Sequence, residues 1–205
     1  MLKLRDWIPL ENLDWGSLSK NPNAIHLLEE NPEKINWTFL SLNTNALHIL
    51  VRNPEKINWT MLNTNDNAVY LLEANPDRIK WELLSKNKNA VHLIEKSLLK
   101  NSEKIHWDLL SQNPEAVRLL EKYPHKIRWD FLSENPNAIH LLEKNPEKIY
   151  RESLLLNPNA MYIIKDMLLK KQQNNEDDTF DYFWLSNNPS AIELLDKNPE
   201  KIHWD

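Results

Sequence analysis

Four histidines, His26, His48, His92 and His140, occupy one recurring sequence slot. Tyr70, Arg118, Tyr162 and Glu193 hold that slot in the remaining copies. The pairs His26 with Glu29 and His140 with Glu143 have an H-x-x-E spacing, which puts both groups on one helical face. An imidazole beside a carboxylate is half of a zinc site. Zinc, however, needs its ligands within about 2.0–2.2 Å of the metal. Equivalent residues on neighbouring packed helices lie roughly 8–10 Å apart. No third ligand converges, so no metal site is expected. The slot reads instead as an exposed polar column, and its eight residues are the candidate binding residues.

The acids and bases recur as well. Glu33, Glu55, Asp77, Glu103 and Glu147 are each followed directly by Lys34, Lys56, Arg78, Lys104 and Lys148, and Lys126 holds the same basic slot. A general acid/base pair needs two carboxylates in unequal surroundings, one with a raised pKa. A periodic array places them all alike. The pattern describes a solvated stripe of mixed charge, and no catalytic residue is expected. Cysteine is absent, so thiolate ligands, disulfides and a cysteine nucleophile are ruled out. Only one glycine, Gly16, is present, too few for a phosphate-cradling loop. No cofactor is expected.

The tryptophans could stack on single-stranded bases. Their neighbours point elsewhere. Trp37 shares an apolar arc with Ile35, Phe39 and Leu40, which suits a wedge in the core. The formal charge is −5, whereas nucleic-acid binders carry a basic surplus or a basic face.

The tryptophans also set the register of the elements that must position the column. Trp15, Trp37, Trp59 and Trp81 are 22 residues apart; Trp107 follows after 26, and Trp129 after 22 more. Arg151, Tyr182 and Trp204 continue the series, with one step of 31. A unit such as NPEKINWTFLSLNTNALHILVR (residues 31–52) holds two helix-start signals. In Asn31-Pro32, as in Asn21-Pro22, Asn113-Pro114, Asn135-Pro136, Asn157-Pro158 and Asn188-Pro189, the asparagine reads as an N-cap and the proline as the first helical residue. The same pair stops the preceding helix, because the residue before proline is pushed out of the α region. The spacing predicts one helix from Pro32 to about Ser41, with a shorter one such as Pro22 to Glu30.

Within the shorter helix one position is alanine in every full unit: Ala24, Ala46, Ala68, Ala90, Ala116, Ala138, Ala160 and Ala191. A small residue there suits a close helix crossing. Helices this short are unstable alone, so the units must cover one another's apolar faces. The expectation is an all-α fold, an α-solenoid of about eight two-helix repeats forming a rod or superhelix over residues 15–205, with residues 1–14 as an N-terminal cap.

Two departures fall after the shorter helix. Residues 97–100 add about one helical turn, and residues 166–181 (DMLLKKQQNNEDDTFD) continue a helix before becoming polar. Insertions at one site of a repeat array emerge on one face, which is often functional. The last segment ends at Trp204-Asp205, partway through a helix. That leaves Ile202 and Trp204 uncovered, so end-to-end self-association through them is possible.

The repeat resembles the NPxAIxLLExNPxKIxWxxLS repeats of proteins from giant DNA viruses infecting protists. It is carried by NPNAIHLL at residues 135–142 and NPEKI at 145–149, and it runs from Trp15 to Trp204. The architecture is similar to tetratricopeptide and Sel1-like arrays, although the tetratricopeptide Trp, Gly and Tyr spacing is absent. The resemblance implies a repeat scaffold rather than an activity, located in the host cytoplasm or the virion. Without a secretory signal or a membrane-spanning run, a soluble cytoplasmic protein is expected. The function expected is non-catalytic binding of a protein or peptide. A self-assembling structural component is the first alternative, and single-stranded nucleic-acid binding the second.

Overall fold

Capping chemistry and proline decide where each helix begins. In the computed structural model, which describes residues 8–173 and 182–203, short α-helices follow one another in tandem, and no strand occurs among the described residues. One helix of each repeat starts at the tryptophan slot: Trp15–Lys20, Trp37–Leu40, Trp59–Leu62 and Trp81–Leu84, then Trp107–Gln112, Trp129–Leu132, Arg151–Leu155 and Tyr182–Ser186. The other starts just after the alanine slot: Ile25–Glu30, Leu47–Arg52, Val69–Ala74 and Val91–Asn101, then Val117–Lys122, Ile139–Lys144, Met161–Gln173 and Ile192–Asp196. We call these the Trp helix and the Ala helix. The chain divides into two bodies, residues 1–106 and 107–205.

The single helix expected from Pro32 to Ser41 is broken. Pro32–Lys34 form a 3-10 turn, Ile35 and Asn36 are extended, and the Trp helix starts afresh at Trp37. Two bonds hold the break open. The Asn36 side chain accepts from the Phe39 amide at 3.2 Å, a true N-cap. The Asn36 amide donates to Ser19 Oγ in the preceding repeat at 3.0 Å. Where Lys80, Arg128 or Tyr150 replaces Asn36, no side-chain cap forms, yet the break persists. Each of those amides still donates to the preceding repeat, to Asn63 Oδ1, Ser111 Oγ and Ser133 Oγ respectively.

The expected role of the Asn31 type also changes. Asn21, Asn113 and Asn188 cap as read, each accepting from the amide two residues on. Asn31 does not. Its Nδ2 turns back and donates to Leu27 O at 2.9 Å, closing the Ala helix behind it. Asn53, Asn75, Asn145 and Asn198 do the same. The reason lies in the backbone: Asn31 sits at φ −131°, ψ 61°, and has no side-chain cap bond to the turn that follows.

The core of each body is a column of fully covered leucines beside the alanines. In the first body Leu40, Leu62 and Leu84 are 0% exposed, with Leu28, Leu50, Leu72 and Ile94 behind them. In the second body Leu110, Leu132, Leu154 and Leu185 play the same part. The alanine slot is buried in every copy, at most 6% exposed. A fully buried leucine is worth about 1.5–3 kcal/mol of burial, so this column is the main apolar support.

The tryptophans are only partly in the core, with Trp107 and Trp129 packing against the buried cluster of the second body. Trp37, Trp59, Trp81, Trp107 and Trp129 are only half-buried, because each lies at the first position of its helix. Four of them carry a cation from the next repeat over the ring: Lys56 on Trp37 and Lys148 on Trp129 at 4.7 Å, Arg78 on Trp59 at 5.7 Å and Lys126 on Trp107 at 5.9 Å. The basic half of the charged stripe thus folds onto the tryptophans.

Both insertions lengthen the Ala helix, to eleven residues in Val91–Asn101 and thirteen in Met161–Gln173. Each adds one buried leucine, Leu98 or Leu168, followed by an exposed one, Leu99 or Leu169. The polar run 174–181, the first seven residues of the expected cap, and Trp204 lie outside the described residues. No helix among the described residues is long and apolar enough to cross a membrane.

Candidate functional site

Three layers of polar contacts join neighbouring repeats, and together they set what the candidate column presents. The innermost is a ladder of buried asparagines. Asn43, Asn65 and Asn87 are at most 1% exposed. Each donates Nδ2 to two main-chain carbonyls of the preceding repeat: Asn43 to Ser19 and Asn21, Asn65 to Ser41 and Asn43, Asn87 to Asn63 and Asn65, all at 2.9–3.2 Å. In the second body Asn135 reaches Ser111 and Asn113, Asn157 reaches Ser133 and Asn135, and Asn188 reaches Leu155 and Asn157. The Oδ1 of each meanwhile caps its own turn, as Asn65 Oδ1 does for the Asn67 amide at 3.1 Å. One primary amide satisfies both a helix start and the unit behind it.

The second layer is a serine latch. Ser41 Oγ donates to Trp37 O at 2.8 Å and accepts the Asn58 amide at 3.0 Å. Ser19 and Ser133 repeat both bonds. Asn63 fills the slot in one copy with the same logic: Nδ2 donates to Trp59 O at 2.7 Å, and Oδ1 accepts the Lys80 amide.

The third layer is the candidate column itself. His48 Nε2 meets Glu29 at 3.0 Å, His92 meets Glu73 at 3.1 Å and His140 meets Glu121 at 2.9 Å, each pair spanning a repeat boundary. Tyr162 donates its hydroxyl to Glu143 in the equivalent place. That bond, with the nearby carboxylate charge, holds the Tyr162 phenol above its ordinary pKa. Glu193 reverses the polarity and accepts from Lys165 at 2.7 Å. Its carboxyl is held below the usual range, first by Lys165 and then by Lys197. So the H-x-x-E pairs read within one helix do not form as such. Each bonded histidine takes a glutamate from the neighbouring repeat.

His26, Tyr70 and Arg118 stand apart. They make no such bond among the described residues, His26 being half-buried and the other two exposed. The carboxylate that Tyr70 would meet is replaced by Val51, itself 50% exposed. Arg118 lines an open groove of about 570 Å³ in the second body, with Pro114, Val117, Glu121, Asn137 and His140. No cluster of three or more His, Cys, Asp or Glu suited to a metal occurs among the described residues.

The column's sequence variability singled out a surface slot, but nothing in the sequence showed which of its members bond across a repeat boundary. The Glu–His register, 19 residues apart, was the available signal. Compared with known proteins, the chain matches no family model, no curated protein and no solved structure.

Proposed function

We propose that the chain is an α-solenoid of about eight repeats that acts as a non-catalytic scaffold and binds a protein or peptide along the Ala-helix column. The observation that carries this reading is Arg118. It is an exposed guanidinium with no ion-pair partner among the described residues, set in a groove beside Val117, Glu121 and His140. Arginine with five donors in a rigid fork is the residue type most enriched at interface hot spots, along with tryptophan and tyrosine. Around it the column is held in place by pairs that span repeats, so the surface is preorganised and loses little freedom on binding. The repeated, equal surroundings of the acids give no group a catalytic environment. A cytoplasmic setting fits the absence of cysteine.

The test is partner capture from a cell extract with mass spectrometry, comparing wild type with Arg118→Ala and with the triple variant H92A/R118A/H140A. The triple variant keeps its helical circular dichroism and loses the captured partner. Equal capture by the triple variant shows that the binding face is elsewhere.

A further inference from the structure

We propose that the seam formed by Val51, Arg52 and Tyr70 docks an acidic peptide segment that carries an apolar anchor side chain. This rests on the binding reading and gives one subsite of the column, in the first body, its ligand chemistry. Elsewhere a carboxylate closes the column across a repeat boundary: Glu29 takes His48 at 3.0 Å, Glu73 takes His92 at 3.1 Å, and Glu143 takes Tyr162. At this one seam Val51 stands in the glutamate slot and Tyr70 in the histidine slot. They are 50% and 52% exposed. An aliphatic and an aromatic side chain thus lie open in slots whose occupants touch in the neighbouring copies.

The local charge changes with the packing. Among the eight copies of the glutamate slot and the residue after it, only Val51-Arg52 sums to a positive charge. The others are neutral, as Glu95-Lys96, or negative, as Glu29-Glu30 and Glu73-Ala74, and the chain as a whole is formally −5. Arg52 is exposed and has no ion pair among the described residues. It ends the helix Leu47–Arg52 that also carries Val51, and it lines a groove of about 460 Å³ with Ile35, Trp37, Ile49 and Lys56. Lys56 holds its ammonium 4.7 Å above Trp37 in the same groove. Two acids are there as well: Glu29, already taken up by His48, and the exposed Glu33.

The occupant follows from that chemistry. A carboxylate matches the guanidinium fork in two parallel hydrogen bonds, and an apolar side chain next to it covers Val51 and the Tyr70 ring. An acidic residue beside an apolar one supplies both. Tyrosine and arginine are the types that carry most energy at interfaces. The bonded pairs on either side, at His48 and His92, hold the flanking helices in place, so little freedom is lost when the seam is covered.

Fluorescence anisotropy with short labelled peptides tests this. The probe has glutamates flanking a leucine–phenylalanine pair; one control replaces its glutamates by lysines, the other its apolar pair by serines. Wild type binds the probe and neither control. Val51→Glu gives Tyr70 the carboxylate that Tyr162 has in Glu143, and Arg52→Ala copies the Ala74 of the next repeat. Both variants therefore keep their helical circular dichroism, and each binds the probe about tenfold more weakly, the worth of a single hot-spot residue. The triple variant H92A/R118A/H140A touches none of the three seam residues, so failure of the capture test and failure of this one are read apart. The idea is overturned by a wild type that binds no probe or binds either control as well, or by a Val51→Glu or Arg52→Ala variant that binds as wild type does. Sedimentation showing self-association that Val51→Glu abolishes would assign the seam to a second copy and overturn it too.

Discussion

Asn65 Nδ2 lies 3.0 Å from the carbonyl oxygen of Asn43, across a repeat boundary, with neither residue more than 1% exposed. The same side chain donates to Ser41 O at 3.1 Å and caps its own turn through Oδ1. Short helices cannot persist alone, and this one amide ties two of them to the repeat behind. Replacing Asn65 by Ala removes the cap, worth about 1 kcal/mol, and strips buried carbonyls of a donor, worth about 1–3 kcal/mol. A total loss of about 2–4 kcal/mol is expected, read as a lower urea midpoint at constant slope. Asn67 makes a comparable bond to Thr44 O at 3.0 Å but is exposed. Asn67→Ala should cost only about 0.5 kcal/mol.

The serine latch gives a sharper substitution series. Ser41→Ala leaves the Asn58 amide without its acceptor and should cost about 1–2 kcal/mol. Ser41→Asn should be within about 0.5 kcal/mol of wild type, because Asn63 already serves in the equivalent slot. Equal destabilisation by the two variants would show that the latch is not what matters at this position.

The cations over the tryptophans are surface contacts. Lys56→Gln should remove about 0.5–1 kcal/mol, with a change in tryptophan emission as the ammonium 4.7 Å above Trp37 is lost. Glu55→Gln, at the neighbouring exposed acid, should leave the emission unchanged.

Two shifted groups set pH dependences at opposite ends of the scale. Tyr162 is raised by its bond to Glu143, so the stability it contributes is present below the tyrosine value of about 10. It is lost as pH climbs through the folded-state value. Absorbance titration should show the Tyr162 phenol ionising above the ordinary tyrosine value, and Glu143→Gln should move it back. Glu193 is lowered by Lys165 and Lys197, so its contribution is present above the ordinary glutamate value of about 4.3 and lost as pH falls through the folded-state value. Lys165→Met should erase most of that acid-side dependence.

Much of this architecture was legible in the residues. The 22-residue tryptophan register, the constant alanine and the two lengthened Ala helices follow from spacing and helical periodicity. The break at Ile35–Asn36 did not, although Asn36 and Asn58 before their tryptophans were a visible N-cap signal. In copies with Lys80 or Arg128 even that signal is missing, because the break is held by an acceptor in the preceding repeat. The ladder was hidden for the same reason. Asn43 reads locally as a turn residue, and its bonds to carbonyls 22 and 24 positions back exist only once repeats are stacked. Variability singles out the candidate column, but its glutamate partners lie in the neighbouring repeat, where helical spacing within one element does not reach.

The most direct test of this account is hydrogen exchange of the asparagine side-chain amides, followed by NMR after transfer to heavy water. The account predicts that the NH2 pairs of Asn43, Asn65, Asn87, Asn135 and Asn157 persist long after those of exposed Asn67 and Asn137 have gone. Exchange of the buried set as fast as the exposed set would contradict the ladder, and with it the claim that these repeats are locked to one another.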